Sequence, residues 1–141
     1  MGVFSIRRRV SWGDCDPAGI LYTPRVFDYC TEAIERWYAG PMELDWPTMN
    51  RRDNMGSPTV HAECDYLVPM APGLELDVRV LIEKLGTASI TFRVEGVADD
   101  GTLHFRARYV GCITDFTRNR AVPVPESLRR RIEAYGIVGA P

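Results

Sequence analysis

At 141 residues, 45% apolar and 26% charged, the chain has room for one domain with its own hydrophobic core and not for two, so residues 1–141 are expected to form a single domain. A net charge of −2 gives no overall pull toward nucleic acid or an anionic membrane, and no apolar run approaches the ~20 residues that cross a bilayer. The four cysteines, Cys15, Cys30, Cys64 and Cys112, form no CxxC or Cys/His pattern, which argues against a disulfide framework or a zinc site and for a reducing cytoplasm. Arg7-Arg8-Arg9 is not followed by an apolar core and cleavage site, so no secretory leader is expected there. This triplet and Arg129-Arg130-Arg131 are expected on solvated faces.

Phe4, Ile6, Val10 and Trp12 alternate with Ser5, Arg7 and Ser11, which predicts a half-exposed strand ending at Asp14 and Asp16. Thr23 then suits a cap and Pro24 the first helical position. Val26/Phe27, Cys30, Ala33/Ile34 and Trp37/Tyr38 follow at helical spacing up to Gly40-Pro41, a helix of about four turns with one apolar face. Glu32 and Arg36 pair on its polar side. Residues 42–56 show neither period and are expected to be a loop with at most one helical turn.

From Thr59 to Val68 the apolar residues Val60, Ala62, Cys64, Tyr66 and Val68 alternate with His61, Glu63 and Asp65. This predicts a strand whose apolar face looks at the helix. Leu74 to Ile82 alternates in the same way. Gly86 allows a reversal into Ile90, Phe92 and Val94, and Asp99-Asp100-Gly101 marks a hairpin into Leu103, Phe105, Ala107 and Tyr109, so three successive antiparallel strands are expected. Leu128, Ile132 and Tyr135 are at helical spacing and end at Gly136, giving a short helix over Pro125–Tyr135. The order predicts an α+β domain in which a curved antiparallel sheet of about five strands wraps one long helix.

The loop from Trp12 to Pro24 brings two carboxylates, Asp14 and Asp16, to a helix start. Unpaired N–H groups of a first helical turn can hold a developing oxyanion while a neighbouring Asp attacks or activates water. Asp16 before Pro17 also suits an Asx-turn, and Asp14 can either orient the loop or tune Asp16. Cys15, between two carboxylates, should have a raised pKa and pack rather than react. His61, Glu63 and Asp65 read as solvated strand residues, and His104 has no supporting context. Asp14 to Gly19 imitates the start of an EF-hand, but Ala18 replaces a ligand and Arg25 stands where Glu is needed, so no metal is expected. The antiparallel strand series likewise argues against an aspartyl-phosphate phosphatase, whose strands alternate with helices.

Gly13-Asp14-Cys15-Asp16-Pro17-Ala18-Gly19-Ile20-Leu21-Tyr22-Thr23-Pro24, the helix after it and Pro69-Met70-Ala71-Pro72-Gly73-Leu74 resemble the hotdog-fold acyl-CoA thioesterases of the 4-hydroxybenzoyl-CoA thioesterase type. The resemblance implies Asp16 as nucleophile or general base, with a backbone N–H of Thr23 or Tyr22 as oxyanion donor. Asp14, Gly19, His61 and Glu63 are the candidates for contacting substrate. The resemblance also implies a homodimer or homotetramer with the site between protomers, and no cofactor, coenzyme A being part of the substrate. The turn that is Arg-rich in some members is here Gly86-Thr87-Ala88-Ser89, which leaves Lys84, Arg118 or Arg120 for the nucleotide end. The expected activity is hydrolysis of an aromatic, 4-hydroxybenzoyl-like acyl-CoA. A non-catalytic acyl-CoA sensor and a thioesterase acting on acyl carrier protein are the alternatives. A hydratase would want a His in the helix-side loop, and neither His61 nor His104 is there.

Overall fold

The computed structural model describes Gly2 to Gly139; residues 1, 140 and 141 of the expected domain span lie outside the described residues. Five strands, β1 (Phe4–Arg9), β3 (Thr59–Tyr66), β4 (Glu75–Leu85), β5 (Ser89–Ala98) and β6 (Leu103–Cys112), form one antiparallel sheet in the order β1-β4-β5-β6-β3. The helix α1 (Arg25–Ala39) lies against it. The short helix α2 (Trp46–Asp53) follows, then β2 (Met55–Gly56), which joins β7 (Thr114–Asp115) and β8 (Arg120–Ala121) in a second small sheet; α3 (Glu126–Tyr135) comes last.

The long helix forms where the apolar spacing places it. Val26, Tyr29, Cys30, Ala33, Ile34, Trp37 and Tyr38 are buried along one face, and Gly40 donates its N–H back to the Arg36 carbonyl as the helix ends. Tyr29 joins this face and Phe27 is only half-buried, because the sheet curls around more of the helix than the narrow stripe suggests. Trp37 is fully buried and meets Phe92, Tyr38 and Tyr135 nearly edge to face at 5.2, 5.0 and 5.7 Å between ring centres. Truncating such a residue to Ala costs about 3–5 kcal/mol.

The β4–β5–β6 meander matches the alternation. Leu76, Val78, Val80, Ile82, Ile90, Phe92, Val94, Phe105, Ala107 and Tyr109 turn inward to the helix. Gly101, at φ +87°, makes the hairpin turn after Asp99 and Asp100.

Four expectations change. Pro24, not Thr23, is the N-cap of α1 and no side chain caps the helix; the Thr23 carbonyl instead accepts the Tyr66 hydroxyl at 2.6 Å. Within residues 42–56, α2 has a full two turns, started by Asp45, whose carboxylate accepts the Thr48 N–H at 3.2 Å, and stopped by Asn54 in the left-handed region. In place of an apolar stripe, the burial of Met49 and the packing of Trp46 on Tyr38 hold this segment, and Pro47 opens the helix. β3 does put Ala62, Cys64 and Tyr66 opposite the inward residues Tyr109, Ala107 and Phe105. As the sheet edge it nevertheless stays largely exposed, and the bulge between Thr59 and His61 leaves Val60 65% exposed.

The fourth change concerns the arginine triplets. Arg129 donates to the carbonyls of Gly86 and Thr87, and Arg131 to the carbonyl of Met42, so both dock α3 onto the domain. Arg7 pairs on the outer sheet face with Glu75, Asp77 and Asp99, whereas Arg8 turns inward.

Candidate active site

The loop between β1 and α1 is a miniature hairpin. Its tip is Asp16-Pro17-Ala18-Gly19, with Asp at the first position, Pro at the second and Gly at the fourth, the residue order of a type I turn. The Gly19 N–H closes it onto the Asp16 carbonyl at 2.9 Å, and Gly19 takes φ +79°, a conformation L side chains resist. Two main-chain bonds form the stem, Asp16 N–H to Ile20 C=O at 3.0 Å and Tyr22 N–H to Asp14 C=O at 2.8 Å, with Cys15 bridged to Leu21 between them. The Leu21 N–H reaches across to the Met70 carbonyl at 2.8 Å, while Val10 and Gly73 are tied main chain to main chain. The two segments that carry the family resemblance are therefore neighbours in space.

At the tip, one carboxylate oxygen of Asp16 accepts the Ala18 N–H at 2.9 Å. The Asx-turn reading is thus realised, and it uses one oxygen only: Oδ2 has no protein donor among the described residues. Asp16 is half-buried and lines a hollow of about 290 Å³ with Trp12, Cys15, Pro17, Gly19 and Pro72. The indole of Trp12 is 85% exposed.

At the helix start the two oxyanion candidates separate. The Tyr22 N–H is committed to Asp14, and the Arg25 N–H to the Tyr22 carbonyl at 2.8 Å. The Thr23 N–H has no protein acceptor among the described residues, and Pro24 has no N–H to offer. Thr23 is held in place through its carbonyl by Tyr66.

Asp14 stands behind the loop. Tyr29 Oη donates to its Oδ2 at 2.7 Å, and the Arg8 guanidinium is 3.8 Å from the same oxygen. The orienting role is therefore the one its contacts support. Burial, with the Asp14 carboxylate adding to it, pushes the Tyr29 phenol well above its ordinary value, so it remains a donor. Cys15 is raised by loss of solvent first and then by Asp14 and Asp16, as its place between carboxylates predicts; its Sγ is 3.5 Å from the Ser11 carbonyl.

The remaining expected contacts are not gathered here within one chain. His61 and Glu63, bonded to each other at 2.9 Å, lie opposite Val110 and Arg108 on the outer sheet face, across the sheet from α1. Lys84 is exposed near the far end of β4, about 30 Å from Glu75 at ~3.3 Å per residue, whereas Glu75 pairs with Arg9 beside the loop. Arg118 and Arg120 are exposed at the β7–β8 turn, Arg118 3.8 Å from Asp115. His104 is buried, with Nδ1 3.2 Å from the Val68 carbonyl, a structural role. A separate cavity of about 300 Å³ opens at the other end of α1 between Met42, Met49 and Leu128, and contains none of the expected residues.

Arg8 and Tyr29 are the site neighbours that sequence reasoning missed. The period of two in β1 was the available signal for Arg8, since it falls on the same face as Ile6 and Val10. Tyr29 is three residues from Val26 and four from Ala33, within the helical stripe. Among the described residues no cluster of three or more His, Cys, Asp or Glu could hold a metal, and no helix is long and apolar enough to cross a membrane.

Residues 10–132 match the family described as the thioesterase-like superfamily. A 1,4-dihydroxy-2-naphthoyl-CoA hydrolase of Synechococcus elongatus is 31% identical over 138 residues, covering 92% of this chain and 94% of that protein. The crystal structure of a thioesterase superfamily protein from Jannaschia superposes with a TM-score of 0.86 at 36% identity, over 94% of this chain and 92% of that one. A 1,4-dihydroxy-2-naphthoyl-CoA thioesterase from Synechocystis shares the fold at a TM-score of 0.85 and 23% identity, over 99% of this chain and 100% of that one. With its five-stranded sheet wrapped on one helix, the chain belongs to the thioesterase-like superfamily, a thioester hydrolase of the hotdog fold.

Proposed function

We propose that this enzyme hydrolyses an aroyl-CoA to the free acid and coenzyme A, with Asp16 as nucleophile or general base and the Thr23 N–H as oxyanion donor. The observation that carries the reading is the pairing of a half-free carboxylate, lining a hollow, with an unpaired N–H at a helix start seven residues on. A thioester has a good leaving group, so a carboxylate and an oxyanion donor suffice for its hydrolysis. On the general-base route, Asp16 takes a proton from water as its oxygen adds to the carbonyl carbon. The oxyanion forms against Thr23, then collapses and expels the CoA thiolate, which takes up the proton. On the nucleophilic route, Asp16 itself forms the C–O bond, the thiolate leaves, and water hydrolyses the resulting anhydride.

An aromatic acyl group is supported by the walls of the hollow, Trp12, Pro17 and Pro72, and by the dihydroxynaphthoyl substrate in the name of the Synechococcus relative. The 4-hydroxybenzoyl group is one member of that class. At about 290 Å³ the hollow is at the small end of the ~300–1,000 Å³ typical of ligand pockets, room for an acyl end rather than a whole acyl-CoA. The nucleotide end then extends toward cations elsewhere, with Lys84, Arg118 and Arg120 as candidates. His61 and Glu63 contact substrate only if a second protomer brings them. The unpaired edge of β3, with Val60, Tyr66 and Leu67 exposed beside it, suits a homodimer, and a homotetramer by further pairing.

Thiol release from a panel of benzoyl-, 4-hydroxybenzoyl- and 1,4-dihydroxy-2-naphthoyl-CoA, two aliphatic acyl-CoAs and one acyl carrier protein thioester tests the proposal. Higher kcat/KM on the aromatic substrates is expected. Preference for an aliphatic or carrier-protein thioester would reassign the acyl class, and tight binding without turnover would leave a sensor.

A further inference from the structure

A polar cluster is built behind the loop, on the side of Asp14 away from the hairpin tip. Arg8 projects from β1 between the inward residues Ile6 and Val10. It bonds to the Glu32 carboxylate, stands over the Tyr29 ring with its guanidinium carbon 4.3 Å from the ring centre, and approaches Asp14. Glu32 is held in turn by Arg36 at 3.3 Å. Tyr29, completely buried, sends its hydroxyl to the Asp14 carboxylate. A cation shared between two carboxylates and a ring face, beside a part-buried charge-assisted hydrogen bond, is an arrangement with little freedom.

Asp14 is the residue through which this rigidity passes to the site. Its side chain is fixed by α1 and β1, its N–H by the Ser11 carbonyl at 3.0 Å, and its carbonyl by the Tyr22 N–H. Asp16 is two residues after it, and Thr23 is one residue after Tyr22. Both reacting groups hang from the one anchored residue.

Resting on the thioesterase reading above, we propose that Arg8, Tyr29 and Glu32 are positioning residues that clamp Asp14 and thereby fix the separation of the Asp16 carboxylate and the Thr23 N–H. They touch neither substrate nor the reacting atoms. A displacement of about 1 Å between reacting groups costs about a hundredfold in rate, so loosening the clamp lowers kcat and leaves substrate binding alone.

The test compares Tyr29→Phe and Arg8→Lys with wild type on the aroyl-CoA that wild type turns over fastest. Tyr29→Phe keeps the ring and loses only the hydroxyl; Arg8→Lys keeps the charge and loses the fork that bridges Glu32 and Asp14. In each, kcat is expected to fall about tenfold or more with KM within about twofold. Tyr29→Phe combined with Asp14→Ala should fall no further than the worse of the two alone, since both remove the Tyr29–Asp14 bond. Hydrogen exchange supplies a readout that needs no substrate: the Tyr22 amide should lose about tenfold protection in Tyr29→Phe while the Val94 amide in the sheet core keeps its own. Unchanged kcat, a loss confined to KM, or unchanged Tyr22 exchange would overturn the clamp. If wild type hydrolysed no thioester, the enzymatic reading would fail by itself, and the exchange measurement would still decide whether the clamp holds the loop.

Discussion

The Tyr22 N–H donates to the Asp14 carbonyl at 2.8 Å, which removes it from the set of donors a substrate could use. Of the two helix-start amides expected to face the thioester, only that of Thr23 is left unpaired among the described residues. The side chain of Thr23 makes no cap, so its chemistry is main-chain chemistry. Thr23→Ala should therefore keep kcat within about threefold, whereas replacing the Thr23 N–H by an ester oxygen should lower it about 10²–10³-fold, the usual cost of one oxyanion donor. Thiol release by the two variants checks this, and equal activity would move the oxyanion site elsewhere.

Cys15 lies in the hollow beside Asp16, where a nucleophilic thiol would be well placed. Loss of solvent and the Asp14 and Asp16 carboxylates hold its pKa above the ordinary thiol value, so little thiolate exists near neutral pH. Cys15→Ser should hydrolyse thioesters within about threefold of wild type, and Cys15 should react with iodoacetamide at pH 7.5 more slowly than free cysteine. Complete loss of turnover in the Ser variant would transfer the nucleophile from Asp16 to Cys15.

Gly96 in β5 is required by its cross-strand partner. A Cβ there would come within 2.1 Å of the ring of Phe105, which is fully buried over it. Gly96→Ala should destabilise the fold by about 1–3 kcal/mol, seen as a lower urea midpoint with an unchanged slope. A midpoint equal to wild type would mean that Phe105 can move aside at no cost.

The Tyr38 phenol, buried against α2 and bonded to Ser57 at 3.1 Å, is pushed up to about 12 by burial. In the unfolded chain it ionises near ~10. The folded state thus holds the proton more tightly, and the stability this contributes is complete below ~10 and lost as pH rises through about 12. Between pH 9 and pH 11 the urea midpoint of wild type should fall more steeply than that of Tyr38→Phe. Parallel curves would show that Tyr38 ionises as freely in the folded protein as outside it.

Much of this architecture is legible in the sequence because it obeys simple periods. The stripe from Val26 to Tyr38 and the alternation from Leu74 to Tyr109 each settle an element before any contact is known. The hairpin tip is equally local, since Asp16, Pro17 and Gly19 each occupy the turn position their chemistry favours. What escaped is set by neighbours distant in sequence. α2 is fastened by one cap and the burial of Met49, with no periodic signal, and β2, β7 and β8 are two residues each. The exposure of β3 depends on its place at the sheet edge, which alternation does not encode. Choosing between Tyr22 and Thr23 required the Asp14 carbonyl, and the Arg8–Tyr29–Glu32 cluster joins β1 to α1 across more than twenty residues of chain.

The central claim is that the Asp16 carboxylate drives the reaction. Asp16→Asn preserves size and the Asx-turn acceptor to Ala18 while removing the basic, nucleophilic oxygen. Single-turnover thiol release from saturating aroyl-CoA, measured for this variant beside wild type, is the direct test. A fall of at least about a hundredfold with substrate still bound is predicted, in the range attributed to a positioned general base. A rate within threefold of wild type would contradict the mechanism and reduce Asp16 to the residue that shapes the turn.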